Sequence, residues 1–489
     1  MTTLPPVQSH SVMETPAPVS AGRRIDSLDV LRGFAVLGIL IMNIQSFGLP
    51  MAAYMNPTVA GGFEGANYWI WVVGHLLADL KFMSIFSMLF GAGIVLFTSR
   101  VEAKGSSACG LHYRRMGWLL LIGLTHGYLL WVGDILFMYA ISGMLLYWAR
   151  RWRPRTLVTV GLASLLVTTG ITALSWWQFA RLEAALERHD QQSSLVAPAE
   201  VEDAAREGVP EPDEAEVPDA TPSSTSPSED GVEPTPDDPV NAELFRGVTV
   251  AKARKAVADM RHNYDPPPEM IEKETRAMTG VYLAEVTFRA PHAVEMQTVV
   301  MFFYGWRVFS MMLLGMALFK WGILSAARST AFYALMAVIG FALGLPLIWI
   351  GLRHDLAVDF YFVQAKFFDS HYNYFGSIFV ALGWVGVIML LCRRGMLGWL
   401  TSSLAAVGRM AFTNYLLHTL ICTTIFNGRS GLGLAKFGDF DRVQLLGIVA
   451  AVFAFQMILS PLWLRCFRFG PFEWLWRSLT YWKLQPMKR

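Results

Sequence analysis

Residues 28–48 read LDVLRGFAVLGILIMNIQSFG, an apolar run of 21 residues interrupted by a few polar side chains. As a helix it would extend about 31 Å, matching the ~30 Å hydrocarbon core of a bilayer. Nine further segments share its character: 70–97, 114–131, 133–150, 156–178, 296–319, 330–351, 373–392, 403–426 and 443–464. Backbone polar groups in lipid have to be satisfied within their own segment, so all ten are expected as helices. The fold class that follows is all-α: a polytopic membrane protein with about ten transmembrane helices.

Composition agrees. Of 489 residues, 54% are hydrophobic and 16% charged, whereas a soluble domain carries about a quarter charged residues. Disordered, collagen-like and disulfide-stapled classes are excluded on the same grounds. The 40 basic and 38 acidic residues nearly cancel, so no field exists to hold nucleic acid, and none is expected as a partner. Cys109, Cys392, Cys422 and Cys466 show no metal-ligand spacing, and no metal is expected. Phosphate-cradling glycine loops, zinc His pairs and Gly-x-Ser-x-Gly elbows are absent from the sequence.

Orientation follows from the basic residues. With the N-terminus inside, the inside segments hold twenty Lys and Arg and the short outside loops five. That asymmetry places both termini in the cytoplasm. The first 22 residues are polar, without the apolar core of a cleavable leader, so the first span is expected to direct insertion. The plan is then a cytoplasmic tail over 1–24, a five-span half over 25–180, an extracytoplasmic tract over 181–241, an ordered extracytoplasmic helical segment over 242–292, a second five-span half over 293–464 and a cytoplasmic tail over 465–489. Between Glu200 and Asn241 lie 14 acidic residues and eight prolines. Such a stretch buries too little apolar surface to offset its ordering entropy, and disorder is expected there.

Ionisable residues inside spans are costly, and each is by default a candidate site. Asp29 and Arg32 stand three apart at the inner end of the first span, with Asn43 near its outer end. Either the pair closes on itself or Arg32 meets an anionic ligand from the cytosol. His75 and Asp79, four apart, share a helical face on which a carboxylate would orient an imidazole as a general base; an ordinary interfacial pair is the alternative. His126 falls in the outer half of the third span. Asp134 opens the fourth, where helix capping also suits it. Arg307 is near mid-depth in the sixth span and requires an anionic partner from another helix or a ligand. The ninth carries Arg409 at its inner end, then Asn414 and His418 four apart. Arg32 and Arg409 thus sit inward, while Asn43, His75, Asp79, His126, Asp134 and His418 sit outward. A functional reading of this gradient requires the side chains to meet in one wet chamber.

Six stretches carry a resemblance: RRIDSLDVLRGFAVLGILIMNIQSFG (23–48), KFMSIFSMLFGAG (81–93), GDILFMYAISGMLL (133–146), MMLLGMALFKWGIL (311–324), GRMAFTNYLLHTL (408–420) and GPFEWLWR (470–477). Together, and in this order, the chain resembles the bacterial YeiB family, domain of unknown function 418, over nearly its whole length. The resemblance implies a multi-pass protein of the bacterial cytoplasmic membrane. A more distant likeness lies in Leu28–Gly33 and in Ala78-Asp79-Leu80, which are similar to transmembrane acyltransferases of the heparan glucosaminide N-acetyltransferase type. That likeness implies transfer of an acyl group from cytosolic acyl-CoA to an extracytoplasmic acceptor. The sugar acetyltransferases place an acyl-accepting His shortly before the Ala-Asp pair, where this chain has NYWIWVVG with Trp69. Either His75 takes over that role or the chemistry is lost.

Two functions are therefore carried forward. In an acyltransferase, His75, Asp79, His126, Asp134 and His418 form the catalytic set, and Asp29, Arg32, Asn43, Arg307, Arg409 and Asn414 bind substrate. Acyl-CoA is then the donor and a glycan or small molecule the acceptor. In a permease for a small metabolite or anion, the same buried groups carry protons or substrate, although no inverted repeat is visible. The bilayer is a partner in both, and self-association into a homo-oligomer is compatible with either.

Overall fold

The computed structural model describes residues 26–206, 249–395, 397–428 and 433–489. The expected tail over 1–24 and the acidic tract beyond Arg206 lie outside them. Every regular element among the described residues is helical, apart from a single bridge between Phe467 and Lys488.

The chain runs through α1 (Asp26–Gly48), α2 (Gly65–Leu77), α3 (Lys81–Glu102), α4 (Ala108–Thr125), α5 (Leu136–Leu146) and α6 (Pro154–Arg206). After the undescribed tract come α7 (Val250–Tyr264), α8 (Pro268–Thr279), α9 (Tyr282–Glu295), α10 (Met301–Lys320) and α11 (Thr330–Ala357). The last five are α12 (Ser370–Arg394), α13 (Gly398–Arg409), α14 (Ala411–Phe426), α15 (Arg442–Cys466) and α16 (Pro471–Tyr481). The chain divides into two compact units. One holds the residues up to Ala173 together with Tyr264–Arg489; the other is Leu174–Asn263. In the second, the end of α6 and most of α7 are joined by ion pairs of Asp190 with Arg254 and of Glu183 with Arg261.

Seven helical stretches are long and apolar enough to cross a membrane. Three of the ten expected segments are built differently. The segment expected over 114–131 is α4 followed by a π turn, His126–Leu130. The fourth, α5, has 11 residues, or about 17 Å of helix. The ninth is two helices that meet at Met410. The segment expected over 70–97 counts among the seven, yet it breaks at Ala78–Leu80, where Leu80 adopts φ 62°. A bulky residue in the left-handed region is strained, and such strain persists only where its surroundings enforce it. The extracytoplasmic tract expected from 181 is helical to Arg206, where α6 continues past its apolar portion.

Helices in lipid gain little from burying apolar area against one another, so close backbone packing has to hold them. Glycines provide it here. A Cβ on Gly91 of α3 would overlap the Met312 carbonyl of α10, and one on Gly315 of α10 would overlap the Met88 carbonyl of α3. The same reciprocity joins Gly33 of α1 to Leu404 of α13, and Gly408 of α13 to Asp29 of α1.

The bundle of the larger unit has two chemically distinct ends. At the basic end, Arg150 and Arg151 both meet Glu102 at 3.1 Å. Lys320 donates to the Trp152 carbonyl at 2.6 Å, Arg114 to that of Thr480 at 3.2 Å and Arg393 to that of Ala326 at 2.8 Å. Glu473 of α16 accepts from the Phe412 and Thr413 amides at 2.7 and 3.0 Å. These are two of the donors that the first turn of α14 leaves unpaired. At the far end, Arg442 donates to the carbonyls of Pro57 and Gly62 and to Gln45.

Gly91→Leu should abolish a monodisperse, cooperatively melting protein in detergent. Gly93→Leu, whose Cβ would meet nothing within 4 Å, should melt like the wild type. Size-exclusion profiles with thermal melts decide this.

Candidate functional site

The sequence suggests one chamber; the structure makes three polar clusters. The first lies where the π turn ends α4. A π turn widens the helix and frees carbonyls, and it is common at functional sites. His126 opens this turn, its Nδ1 2.8 Å from Asp134 Oδ1 and its Nε2 2.9 Å from Thr419 Oγ1 of α14. Asp134 also caps α5, its Oδ2 accepting from the Phe137 amide at 2.8 Å. Asp134 thus serves both as the cap expected of it and as the partner of His126. His126 is 1% exposed and Thr419 0%. Tyr415 packs its ring 5.5 Å from the imidazole, with Trp131 edge-on at 6.3 Å. The Trp131 indole nitrogen is buried and has no acceptor among the described residues. The carbonyls of Leu129 and Leu130 are taken by Arg289 of α9, which also pairs with Glu285 at 2.8 Å. Tyr282 donates to Leu129 as well, at 2.7 Å.

The second cluster surrounds the break between α2 and α3. His75 Nδ1 lies 3.4 Å from Asp79 Oδ2, and its ring stacks on Trp71. Asp79 also accepts from Asn373 at 2.6 Å and from Tyr54 at 3.4 Å. Lys81, wholly buried, donates to Asn373 Oδ1 at 2.6 Å and to the His75 carbonyl at 2.5 Å. Arg307 is also wholly buried. An anionic partner was expected for it, yet its donors go to the Tyr374 carbonyl at 2.6 Å and to Ser84 and Ser377 at 3.0 and 2.7 Å. The guanidinium lies 4.6 Å from the Tyr374 ring. Neutral oxygens from two helices, α3 and α12, spread its charge, and the carboxylate acting on it, Asp79, does so from beyond ion-pair range. A cavity of about 30 Å³ between Gln45, Trp71, Gly74 and Arg442 lies beside this cluster, room for about one water molecule.

The third cluster ties α14 to α15. Asn414 donates to the Val407 carbonyl and to Ser460, both at 3.1 Å, and His418 Nε2 lies 2.9 Å from Gln456 Oε1. At the basic end, Arg32 and Asp29 close on each other at 2.8 Å, and Arg409 follows Gly408, whose backbone rests on Asp29. Asn43 is half-buried, and its carbonyl accepts from Ser46 at 3.0 Å. Thr419, Asn373, Lys81, Arg289 and Tyr415 are the members that the candidate set lacks. Asn373, opening an apolar helix, was accessible to the same reasoning as Asn414. Thr419 is neutral and offered no such signal.

The family described as "Protein of unknown function (DUF418)" matches residues 318–483. The chain is 29% identical to "Uncharacterized protein YeiB" of Escherichia coli (strain K12), over 93% of this chain and 95% of that protein. It is also 29% identical to "Uncharacterized protein YxaH" of Bacillus subtilis (strain 168), over 98% and 99% respectively. A third relative, "Uncharacterized 39.9 kDa protein in amylase 3'region" of Bacillus acidopullulyticus, is 34% identical over 26% of this chain and 35% of its own length. No solved structure matches significantly. The DUF418 segment holds Asn373, Arg409, Asn414, His418 and Thr419, while His126, Asp134, Asp79 and Arg307 precede it. The first two clusters are therefore assembled across its boundary.

Arg289→Met should leave the Leu129 and Leu130 carbonyls and buried Glu285 without their cation, at a cost of about 3 kcal/mol. Its thermal midpoint in detergent should fall well below that of Arg276→Gln, an exposed control on α8.

Proposed function

We propose that this membrane protein takes an acyl group from acyl-CoA at the basic end and passes it to a glycan or small-molecule acceptor at the far end. The observation that carries the reading is the buried chain from Asp134 through His126 to Thr419. It has the parts of an activated nucleophile: a hydroxyl, an imidazole in reach of it, and a carboxylate fixing the imidazole's tautomer. His126 Nε2 removes the Thr419 proton as Oγ1 attacks the thioester carbonyl, and CoA leaves as the thiol with that proton. The acceptor's hydroxyl or amine then attacks the Thr419 ester, and His126 returns the acceptor's proton to Oγ1. The Trp131 N–H beside His126 is a donor for the developing oxyanion. Arg32 and Arg409 lie at the end where CoA phosphates would dock. His75 is the weaker candidate base, because Asn373 and Tyr54 already share its carboxylate.

The distant likeness to sugar acyltransferases supports the same division of labour. The crowding of Lys and Arg at the basic end supports placing that end in the cytoplasm, with the membrane the bacterial cytoplasmic one. Thiol release from acetyl-, succinyl- and palmitoyl-CoA by protein in proteoliposomes tests the reading. Asp134→Asn should lower the rate by about 10²–10⁴-fold, and Thr419→Val should abolish a hydroxylamine-sensitive acyl adduct seen by intact mass. Wild-type rates in both variants would refute it.

One observation favours a permease for a small anion: the break at Leu80, which places Asp79, Lys81 and Arg307 together inside the bundle, as in discontinuous transport helices. Anion flux into proteoliposomes that Lys81→Met abolishes, without thiol release by the wild type, would select that reading.

A further inference from the structure

We propose that the basic end carries a binding site for a phosphate-bearing ligand, built around Arg115 with Arg477 and Arg32. The proposal concerns binding alone and stands whatever happens at His126.

Arg115 lies on α4, and its guanidinium is sandwiched between the rings of Phe97 and Trp476, 4.9 and 4.3 Å from their centroids. The Trp476 indole N–H donates to the Arg115 carbonyl at 3.0 Å, which clamps α16 onto α4 at this point. Ring contacts of this kind leave the N–H donors of the guanidinium in need of acceptors, and among the described residues no carboxylate or carbonyl accepts from them. The residue is half-buried, so part of it stays accessible.

The charges acting on Arg115 deepen the demand for an anion. They come from Arg477 and Arg32, both cations. Asp29, the carboxylate beside them, is engaged with Arg32 at 2.8 Å. Arg477 and Arg32, half-buried like Arg115, each repel its charge where solvent screening is reduced. A stacking role for Arg115 would be served without the other two. A ligand with several anionic oxygens relieves the repulsion and matches the planar donor fork of arginine, which a phosphate monoester or diphosphate does best. The phosphate belongs either to a soluble molecule or to an anionic lipid headgroup.

Full-length protein in detergent is titrated calorimetrically with adenosine 3′,5′-bisphosphate and with inorganic pyrophosphate. In parallel, it is melted in nanodiscs of phosphatidylcholine with and without phosphatidylglycerol. Arg115→Gln should weaken the productive ligand at least tenfold, and Arg477→Gln several-fold, with affinity falling as salt rises. Arg276→Gln on α8 should bind as the wild type does. Binding of the soluble phosphates assigns the source to a free ligand. A phosphatidylglycerol-dependent rise in melting temperature, lost in Arg115→Gln, assigns it to lipid. Should Arg115→Gln fail to fold, Arg115→Lys and Arg477→Gln carry the test. Wild-type binding in these variants, or no response of the wild type to any of the three probes, overturns the proposal.

Discussion

Backbone contact between helices is the constraint on which the remainder of the larger unit rests. Four glycines let α1 meet α13 and α3 meet α10 with no side chain between them. Lipid tails are as apolar as leucine, so nothing else draws these surfaces together so closely. Arg307 depends on that approach. Ser84 precedes Gly91 by about two helical turns and Arg307 precedes Gly315 by about two, so each lies on the face its glycine presents to the other helix. Only because α3 and α10 touch can the guanidinium span from Ser84 to Ser377 and the Tyr374 carbonyl on α12. A buried cation held by neutral oxygens is costly to desolvate and unforgiving of displacement. It therefore stiffens the crossing that the glycines allow.

α14 joins the two ends of the bundle chemically. Its first turn is held by Glu473, its middle presents Asn414 and His418 to α15, and Thr419 faces His126 on a different side. Thr419 is six residues beyond Thr413, about 9 Å along the axis. The separation of His418 from Thr419 by one position explains why adjacent residues serve different clusters: neighbours in a helix point about 100° apart.

Hydropathy made the all-helical, membrane-embedded character legible, because segments such as 28–48 and 330–351 are long and apolar. It did not reveal the breaks. Ala78-Asp79-Leu80 and Met410 lie within apolar patterns that continue on either side, and the backbone departs from them for tertiary reasons. His126 and Asp134 stood out as titratable groups in apolar surroundings, but their meeting depends on a π turn that no residue spacing announces. The pairing of Glu285 with Arg289 was visible as a four-residue spacing. Its target, the freed carbonyls of that turn, was not. Arg307 drew attention for its depth; serine hydroxyls and a carbonyl take its terminal donors, while its Nε has no acceptor among the described residues.

Glu473 caps a helix whose first residues were made 60 positions earlier in the chain. During synthesis α14 is thus complete well before the carboxylate that satisfies its leading amides exists. In the interval those N–H groups depend on interfacial water, which keeps the start of α14 near the headgroups until α15 and α16 have followed. Biogenesis of this protein therefore has a built-in order: the helix bearing Thr419 is seated only when the segment around Glu473 has returned to close it.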